Sequence, residues 1–243
     1  MTKQDDLSRS LDRYLDGRPG ELSVSVRELR TGASFSYNRA LRTATASIVK
    51  VDLVAALLLR AQRRRRGLST WERRQAALAI EVSDNDAASA LWSVIGGGRG
   101  LAAANRRLGL RRTVPGPDGA WGATTTSAAD QVRLLTALTS AASPLNAVNR
   151  RHLLRLMANV APEQAWGVSA ARRPGSDVAL KNGWLPRERD DGRWTINSIG
   201  RVRGDDHDYL IAVISRGNAG MGAGIAAVEH VAELVTRTLA GDR

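Results

Sequence analysis

Ala46-Ser47-Ile48-Val49-Lys50-Val51-Asp52-Leu53-Val54-Ala55-Ala56-Leu57-Leu58-Leu59 is the stretch from which this chain is best read. Residues 47–62 form one long apolar segment of helical length, and its first turn holds Ser47 and Lys50. A spacing of three stacks Lys50 beneath Ser47 on one helical face, within hydrogen-bond reach of the hydroxyl. The helix N-terminus adds positive potential that favours negative charge developing at the serine. Only three of the 36 basic residues are lysines, Lys3, Lys50 and Lys181. A guanidinium stays charged and cannot accept a proton, whereas a desolvated lysine amine can. Lysine is therefore kept where proton transfer would need it.

Outward from that helix, residues 4–17 carry Leu7, Leu11, Tyr14 and Leu15 on one face, an amphipathic helix ended near Gly17. Residues 21–29 alternate apolar and polar, and the turn Arg30-Thr31-Gly32 leads into 33–37, which predicts a hairpin. Downstream of residue 62 the pattern stays helical to about residue 160, interrupted at Gly67, at Gly96-Gly97-Gly98-Arg99-Gly100 and over 109–122. The glycine run follows a helix and reads as an interhelical loop, not a dinucleotide fingerprint. Strands return at 177–184, 193–202 and 209–215, separated by turn-rich stretches at 187–192 and 204–208, and a helix over 222–239 closes the chain. Two strands at the start and three at the end predict an α+β fold. Its five-stranded antiparallel sheet is flanked by N- and C-terminal helices and interrupted by an inserted all-helical unit. The expected units are 1–40 with 177–243 for the sheet and 41–176 for the helices, with the active site at their interface.

Composition narrows the chemistry. The chain has 243 residues, 43% of them apolar, enough for a substantial core. With no cysteine, disulfides, thiolate metal sites and cysteine nucleophiles are excluded. His152, His207 and His230 show no ligand spacing, and Asp205-Asp206-His207-Asp208 falls between two strands and reads as a hairpin turn. No cofactor or metal is called for. The net charge of +12 is spread along the chain, and its one dense run, Arg63 to Arg66, reads as a solvated helix C-terminus. Nucleic acid is not an expected partner. The start, Met1-Thr2-Lys3-Gln4-Asp5-Asp6, has no apolar signal region, and the apolar stretch at 51–59 is too short to span a bilayer. These features predict a cytoplasmic protein with no membrane partner, unless an export signal has been removed.

Two further motifs follow Ser47-Ile48-Val49-Lys50 in order: Ser83-Asp84-Asn85 in a break between helices, and Lys181-Asn182-Gly183 closing the first late strand. In this order and context the chain resembles the serine β-lactamase and penicillin-binding-protein superfamily, closest to class A, over nearly its whole length. The resemblance implies that Ser47 is the acylated nucleophile and Lys50 its base. Ser83 would pass a proton to the leaving group, and Asn85 would hold substrate and Lys50. Lys181 would supply positive charge toward Ser83 and a substrate carboxylate. The N–H groups of Ser47 and Trp184, which follows Gly183, would form an oxyanion hole. Arg193, at the head of the next strand, would assist carboxylate recognition, and Asn182 stands where threonine or serine is usual, still able to donate. Thr124-Thr125-Thr126 resembles the threonine run after the family's Ω-loop.

The departures are as informative. The stretch matching the Ω-loop, 109–122, is short and holds neither glutamate nor asparagine. Its one acid, Asp118, lies between Pro117 and Gly119 as a turn residue would. Glu163 is the other acid considered for the missing role. Trp121-Gly122 and Trp166-Gly167 read as packing anchors near the cleft. The expected function is a serine hydrolase forming an acyl-Ser47 intermediate on an amide, lactam or ester, with a small, carboxylate-bearing substrate and weak deacylation by water. The alternatives are an acyltransferase passing the acyl group to an amine or alcohol, and a non-catalytic binding protein on the same fold.

Overall fold

A computed structural model describes residues 2–187 and 191–240. Its helices are α1 (Lys3–Leu15), α2 (Val49–Arg63), α3 (Thr70–Glu81), α4 (Asn85–Ile95), α5 (Gly97–Arg107), α6 (Ala128–Thr139), α7 (Ala147–Ala158) and α8 (Met221–Ala240). Its strands are β1 (Glu21–Glu28), β2 (Ser34–Tyr37), β3 (Thr43–Ala44), β4 (Thr125–Thr126), β5 (Asp177–Arg187), β6 (Arg193–Arg203) and β7 (Asp208–Asn218). Five strands make one antiparallel sheet in the order β2-β1-β7-β6-β5, so strands from both ends of the chain pair through β1 and β7. The α+β architecture is the one the sequence predicts.

Alternation along β7 explains how the sheet carries two cores. Leu210, Ala212 and Ile214 face the large cluster formed with α2 to α7, while Tyr209, Ile211 and Val213 face α1 and α8. Buried on both faces, β7 reads as a nearly continuous apolar run. At the centre of the helical layer α2 is buried almost all round, from Val49 through Leu59 and again at Ala61. Truncating one of its leucines, such as Leu57, to alanine would cost about 2–5 kcal/mol.

Four details differ from the sequence reading. Ser47 lies in a separate 3₁₀ turn, Ala46–Ile48, and α2 begins only at Val49. Strand β5 continues past Lys181-Asn182-Gly183 to Arg187, so that motif is mid-strand. The glycine run is not a loop, because α5 starts at Gly97, immediately after the left-handed Gly96. A Cβ on Gly100 would meet the Ile95 carbonyl oxygen at 1.8 Å, so only glycine lets the two helices turn so tightly. Finally, β3 and β4 pair within the stretch expected to be all helical. Two-residue strands are too short to carry a period. The turn predicted at 187–192 falls partly outside the described residues; that at 204–208 is a turn between β6 and β7.

Candidate active site

Ser47 is held from three directions. Thr45 donates its N–H to the Thr124 carbonyl at 2.7 Å, which ties the approach to Ser47 to the residue before β4. The buried Asn197 of β6 donates Nδ2 to the carbonyls of Ala44 and Thr45, at 2.9 and 3.0 Å. From the third side comes Gly183 of β5, where an added Cβ would lie 2.7 Å from both Ser47 N and Thr45 O. Any other residue would push the sheet off the turn that carries Ser47. Ala46 adopts φ +47°, a left-handed conformation unusual for alanine and maintained by these surroundings. Ser47 itself is half-buried and lines the cleft.

Beneath the cleft floor two lysines converge on Ser83. Lys50 Nζ donates to Ser83 O at 2.5 Å, Ser83 Oγ at 3.1 Å and Asn85 Oδ1 at 2.8 Å. Lys181 Nζ donates to Ser83 Oγ at 2.9 Å, with further bonds to Asn182 O at 3.0 Å and Gln164 Oε1 at 3.4 Å. Both lysines are fully buried. Burial draws Lys50 down to about 8 against the opposing charge of Asp84, and burial with the adjacent Lys50 draws Lys181 down to about 7. Ser83 is also left-handed, at φ +59°, in the break that α4 follows. Asp84 caps that helix by accepting from Ala87 N at 2.6 Å, which fixes Asn85 as its first residue. Trp121 closes one side, its ring centroid 5.0 Å from Lys50 Nζ and its Nε1 donating to Ser89 Oγ at 3.1 Å.

Ser47, Lys50, Ser83, Asn85, Lys181, Gly183 and Trp184 are thus gathered about one cleft of about 940 Å³ or directly under its floor. The lysine expected to bond Ser47 instead bonds Ser83 and Asn85, because Ser47 sits in a 3₁₀ turn ahead of α2 and the helical stacking argument does not reach it. Asn182 faces away from the cleft. Its Nδ2 donates to the carbonyls of Gln164 and Trp166, at 2.8 and 2.9 Å, leaving neither hydrogen for a substrate carboxylate. Strand alternation accounts for this, since Lys181 and Asn182 must point to opposite faces of β5. Arg193 opens β6 as expected but does not line the cleft; its Nη1 donates to Gly217 O at 3.3 Å. The arginines that do line it are Arg42, Arg187 and Arg216.

Residues 109–122 form the wall beside β3 and β4. Their start is pinned by buried Asp130, which accepts from Arg111 N, Arg112 N and Thr113 Oγ1 at 3.2, 2.6 and 2.9 Å. Asp118 is an exposed turn residue at φ +47°, and Glu163 is exposed as well. Among the described residues no aspartate or glutamate lines the cleft. Trp166 packs on Trp184 at 5.8 Å between centroids, and Trp121 lines the cleft, so both tryptophan anchors lie where expected. Asn197, Gln164 and the three cleft arginines escaped sequence reasoning. None belongs to a motif, and only the folded arrangement brings them here.

A family model described as the β-lactamase enzyme family matches residues 6–75 and 65–239. "Putative lipoprotein LppW" of Mycobacterium tuberculosis (strain ATCC 25618 / H37Rv) is 30% identical over 170 residues, covering 68% of this chain and 54% of that protein. The chain thus spans about half the length of the curated relatives it matches. Among solved structures, the TLA-1 extended-spectrum β-lactamase superposes with a TM-score of 0.86 at 16% identity, covering 98% of this chain and 100% of that one. PBP-A superposes with a TM-score of 0.82 at 19% identity, covering 96% of each. Among the described residues no helix is long and apolar enough to cross a membrane.

Proposed function

The chain belongs to the β-lactamase enzyme family, and from that premise we propose that it is a serine acyl-transfer enzyme working through an acyl-Ser47 intermediate on an amide, lactam or ester. The observation that carries this reading is the junction of Lys50 and Lys181 on Ser83 Oγ, with Lys50 three residues after a half-buried Ser47. Two buried amines so close cannot both stay protonated at neutral pH without cost, so the pair supplies a neutral base.

In the acylation step Ser47 Oγ bonds to the substrate carbonyl carbon while its proton passes to Lys50, directly or through one water. Negative charge moves to the carbonyl oxygen, where the main-chain N–H groups of Ser47 and Trp184 receive it. Because β5 is the edge strand of the sheet, alternate N–H groups along it face away from β6, which supports the role given to Trp184. Collapse of the tetrahedral intermediate breaks the bond to the leaving nitrogen or oxygen. Ser83 Oγ protonates that atom and regains a proton from Lys50, and Lys181 holds Ser83 in place. Asn85 orients Lys50 and borders the substrate.

With no carboxylate of the described residues lining the cleft, none of them evidently activates water against the acyl-Ser47 ester. This favours a long-lived acyl-enzyme, cleared slowly by water or by transfer to an amine or alcohol. The reading places the cleft between the sheet unit (1–40 and 177–243) and the inserted unit (41–176). The lipoprotein name of the mycobacterial relative supports an exported location in place of the cytoplasmic one expected from the first residues. The test is intact mass spectrometry after incubation with a penicillin or a fluorophosphonate. One adduct should form on the parent protein and none on Ser47→Ala, whereas Ser83→Ala should label slowly. Undiminished labelling of Ser47→Ala would remove the core of the proposal, and no labelling of the parent would favour a binding protein.

A further inference from the structure

The dense run Arg63 to Arg66 reads by itself as a solvated helix end, but the fold surrounds it with more charge of the same sign. It ends α2, roughly 20 Å along that helix from the cleft. Gln62 ties the start of α7 to this end, donating to the Pro144 carbonyl at 2.8 Å and accepting from Asn146 N at 2.9 Å. Arg66 ties the start of α3 to it by donating to both Glu72 oxygens, at 2.6 and 2.8 Å. From α5, Arg107 borders Arg60 and Arg63. Burial, with the charges of Arg155 and Arg73, holds His152 below its ordinary value, as expected where α3 packs on α7.

Four helix ends thus meet in one cationic pole. Within 53–80, 87–117 and 131–162, the segments that build it, Glu72 is the only acid, and it is buried against Arg66. The undescribed stretches adjoin Arg187, at the cleft, and α1 and α8, on the opposite face of the sheet. The side chains of Arg64, Arg74 and Arg151 are exposed, with no hydrogen-bond or ion-pair partner among the described residues. Helix stability accounts for arginine at the C-terminal ends of α2 and α5, but the dipole opposes cations near the starts of α3 and α7. Among the described residues four large apolar side chains are exposed, and two of them, Trp71 at 47% and Val148 at 66%, stand at this pole. Each has an arginine three residues on, Arg74 and Arg151, on its own helical face. Tryptophan and an aliphatic group among arginines suit the boundary between lipid headgroups and acyl chains. A phosphodiester backbone would satisfy the arginines but offers nothing to Val148.

We propose that this pole docks on an anionic phospholipid bilayer, its arginines meeting headgroup phosphates while Trp71 and Val148 enter the headgroup layer. Such a surface lies against a bilayer without crossing it, so no spanning helix is needed. Contact of this kind revises the expectation of no membrane partner. The cleft, at the other end of α2, is then held roughly 20 Å from the lipid.

Sedimentation with phosphatidylcholine vesicles containing about one-third phosphatidylglycerol, at ~0.1 M salt, measures the docking. The parent should bind these at least about tenfold more tightly than pure phosphatidylcholine vesicles. Arg64→Gln, Arg74→Gln and Arg151→Gln together should weaken binding on the order of 100-fold, as three cations at a charged surface provide. The same charge loss elsewhere, Arg13→Gln with Arg172→Gln and Arg203→Gln, should cost less than about threefold, because screening isolates charges far from the lipid. Trp71→Ser with Val148→Ser leaves the charge untouched and should weaken binding about tenfold. Brominated lipids should quench part of the parent's tryptophan emission, and Trp71→Phe should bind as the parent does with that quenching lost. If a multiple variant fails to fold, as read by urea unfolding, the quenching comparison decides alone. Equal losses from the two triple substitutions would show that net charge alone holds the protein, and would overturn the proposal. So would no binding to anionic vesicles, quenching that persists in Trp71→Phe, or tighter binding to a DNA duplex than to the vesicles. None of these readouts passes through Ser47, so docking and acylation stand or fall separately.

Discussion

Around Ser83, two buried lysines, a hydroxyl and an amide are joined by hydrogen bonds of 2.5–3.1 Å; along residues 109–122, the one acid, Asp118, stands exposed in a turn. Both regions are firmly placed. The first is fixed by mutual bonding of chemically active groups. The second is fixed by Asp130, which grips the backbone of Arg111 and Arg112 and the hydroxyl of Thr113 from below. The difference lies in chemistry and not in order: one region can move protons, and the other provides a wall. On the proposed reading, a cleft built this way has the parts for making an ester on Ser47 and, among the described residues, lacks the evident part for breaking it with water.

The largest expected effect probes the proton-moving half. Lys50→Arg preserves charge and approximate length but cannot accept a proton, so adduct formation on Ser47 should slow by about 10²–10⁴-fold. Lys181→Arg keeps the cation beside Ser83 and should be the milder change. Stopped-flow or timed mass spectrometry of both variants checks this, and equal tolerance would show that Lys50 is not the base.

A smaller effect, about tenfold per pH unit at most, should appear in the pH profile. The base acts unprotonated, so acylation should rise with pH across the region of about 7 to 8 where burial has placed the two lysines. Below that window activity falls. A midpoint near 10.5, the ordinary lysine value, would mean that the buried junction does not set the chemistry.

Asp52 links the two regions. It lies on α2 two residues after Lys50, fully buried, with neither carboxyl oxygen hydrogen-bonded among the described residues. Burial, with Asp130 adding to it, pushes its carboxyl up to about 8. A folded value above the unfolded one means that the stability it contributes is present at low pH and lost as pH rises through about 8. Asp52→Asn imitates the protonated form. Relative to the parent it should gain about 1.4 kcal/mol per pH unit between the ordinary carboxyl value of 3.8 and about 8, and no more above that, read by urea unfolding at pH 5 and pH 7. The lysines contribute in the opposite direction in both proteins, so only the difference is diagnostic. An unchanged difference would show that Asp52 is already ionised in the fold.

The smallest expected effect sharpens the other half. A penicillin adduct on Ser47 should persist for minutes or longer, and Asp118→Asn should leave its lifetime unchanged within about twofold, since general-base loss elsewhere typically costs 10²–10⁴-fold. A large change in lifetime would make Asp118 the water-activating residue despite its exposed position.

Three motifs and the scarcity of lysine made much of this site legible before any coordinates. Ser47, Lys50, Ser83, Asn85 and Lys181 are marked by spacing and order along the chain, and the sheet's composition from both termini follows from where alternation occurs. The period-2 pleat even contained the signal that Asn182 opposes Lys181, although the motif alone suggested otherwise. Other features had no local trace. Arg193 and Arg187 pair across β5 and β6, yet Arg187 lines the cleft and Arg193 turns to Gly217; nothing in either neighbourhood separates them.

What the sequence determined by itself is the inventory: an α+β chain with one candidate nucleophile, two lysines to serve it and no glutamate in the loop where one would be sought. Local spacing and residue type suffice for that, because they set which groups can ionise and which segments can pair. Tertiary structure decided who touches whom. Lys50 bonds Ser83 and Asn85 rather than Ser47, Asn197 reaches across more than 150 residues of chain to hold Thr45, and Arg42 joins Arg187 and Arg216 at one cleft. Such contacts depend on strand register and on the 3₁₀ turn before α2. Those are settled only when the two cores close on the sheet, because a shift of one residue would turn each side chain to the opposite face.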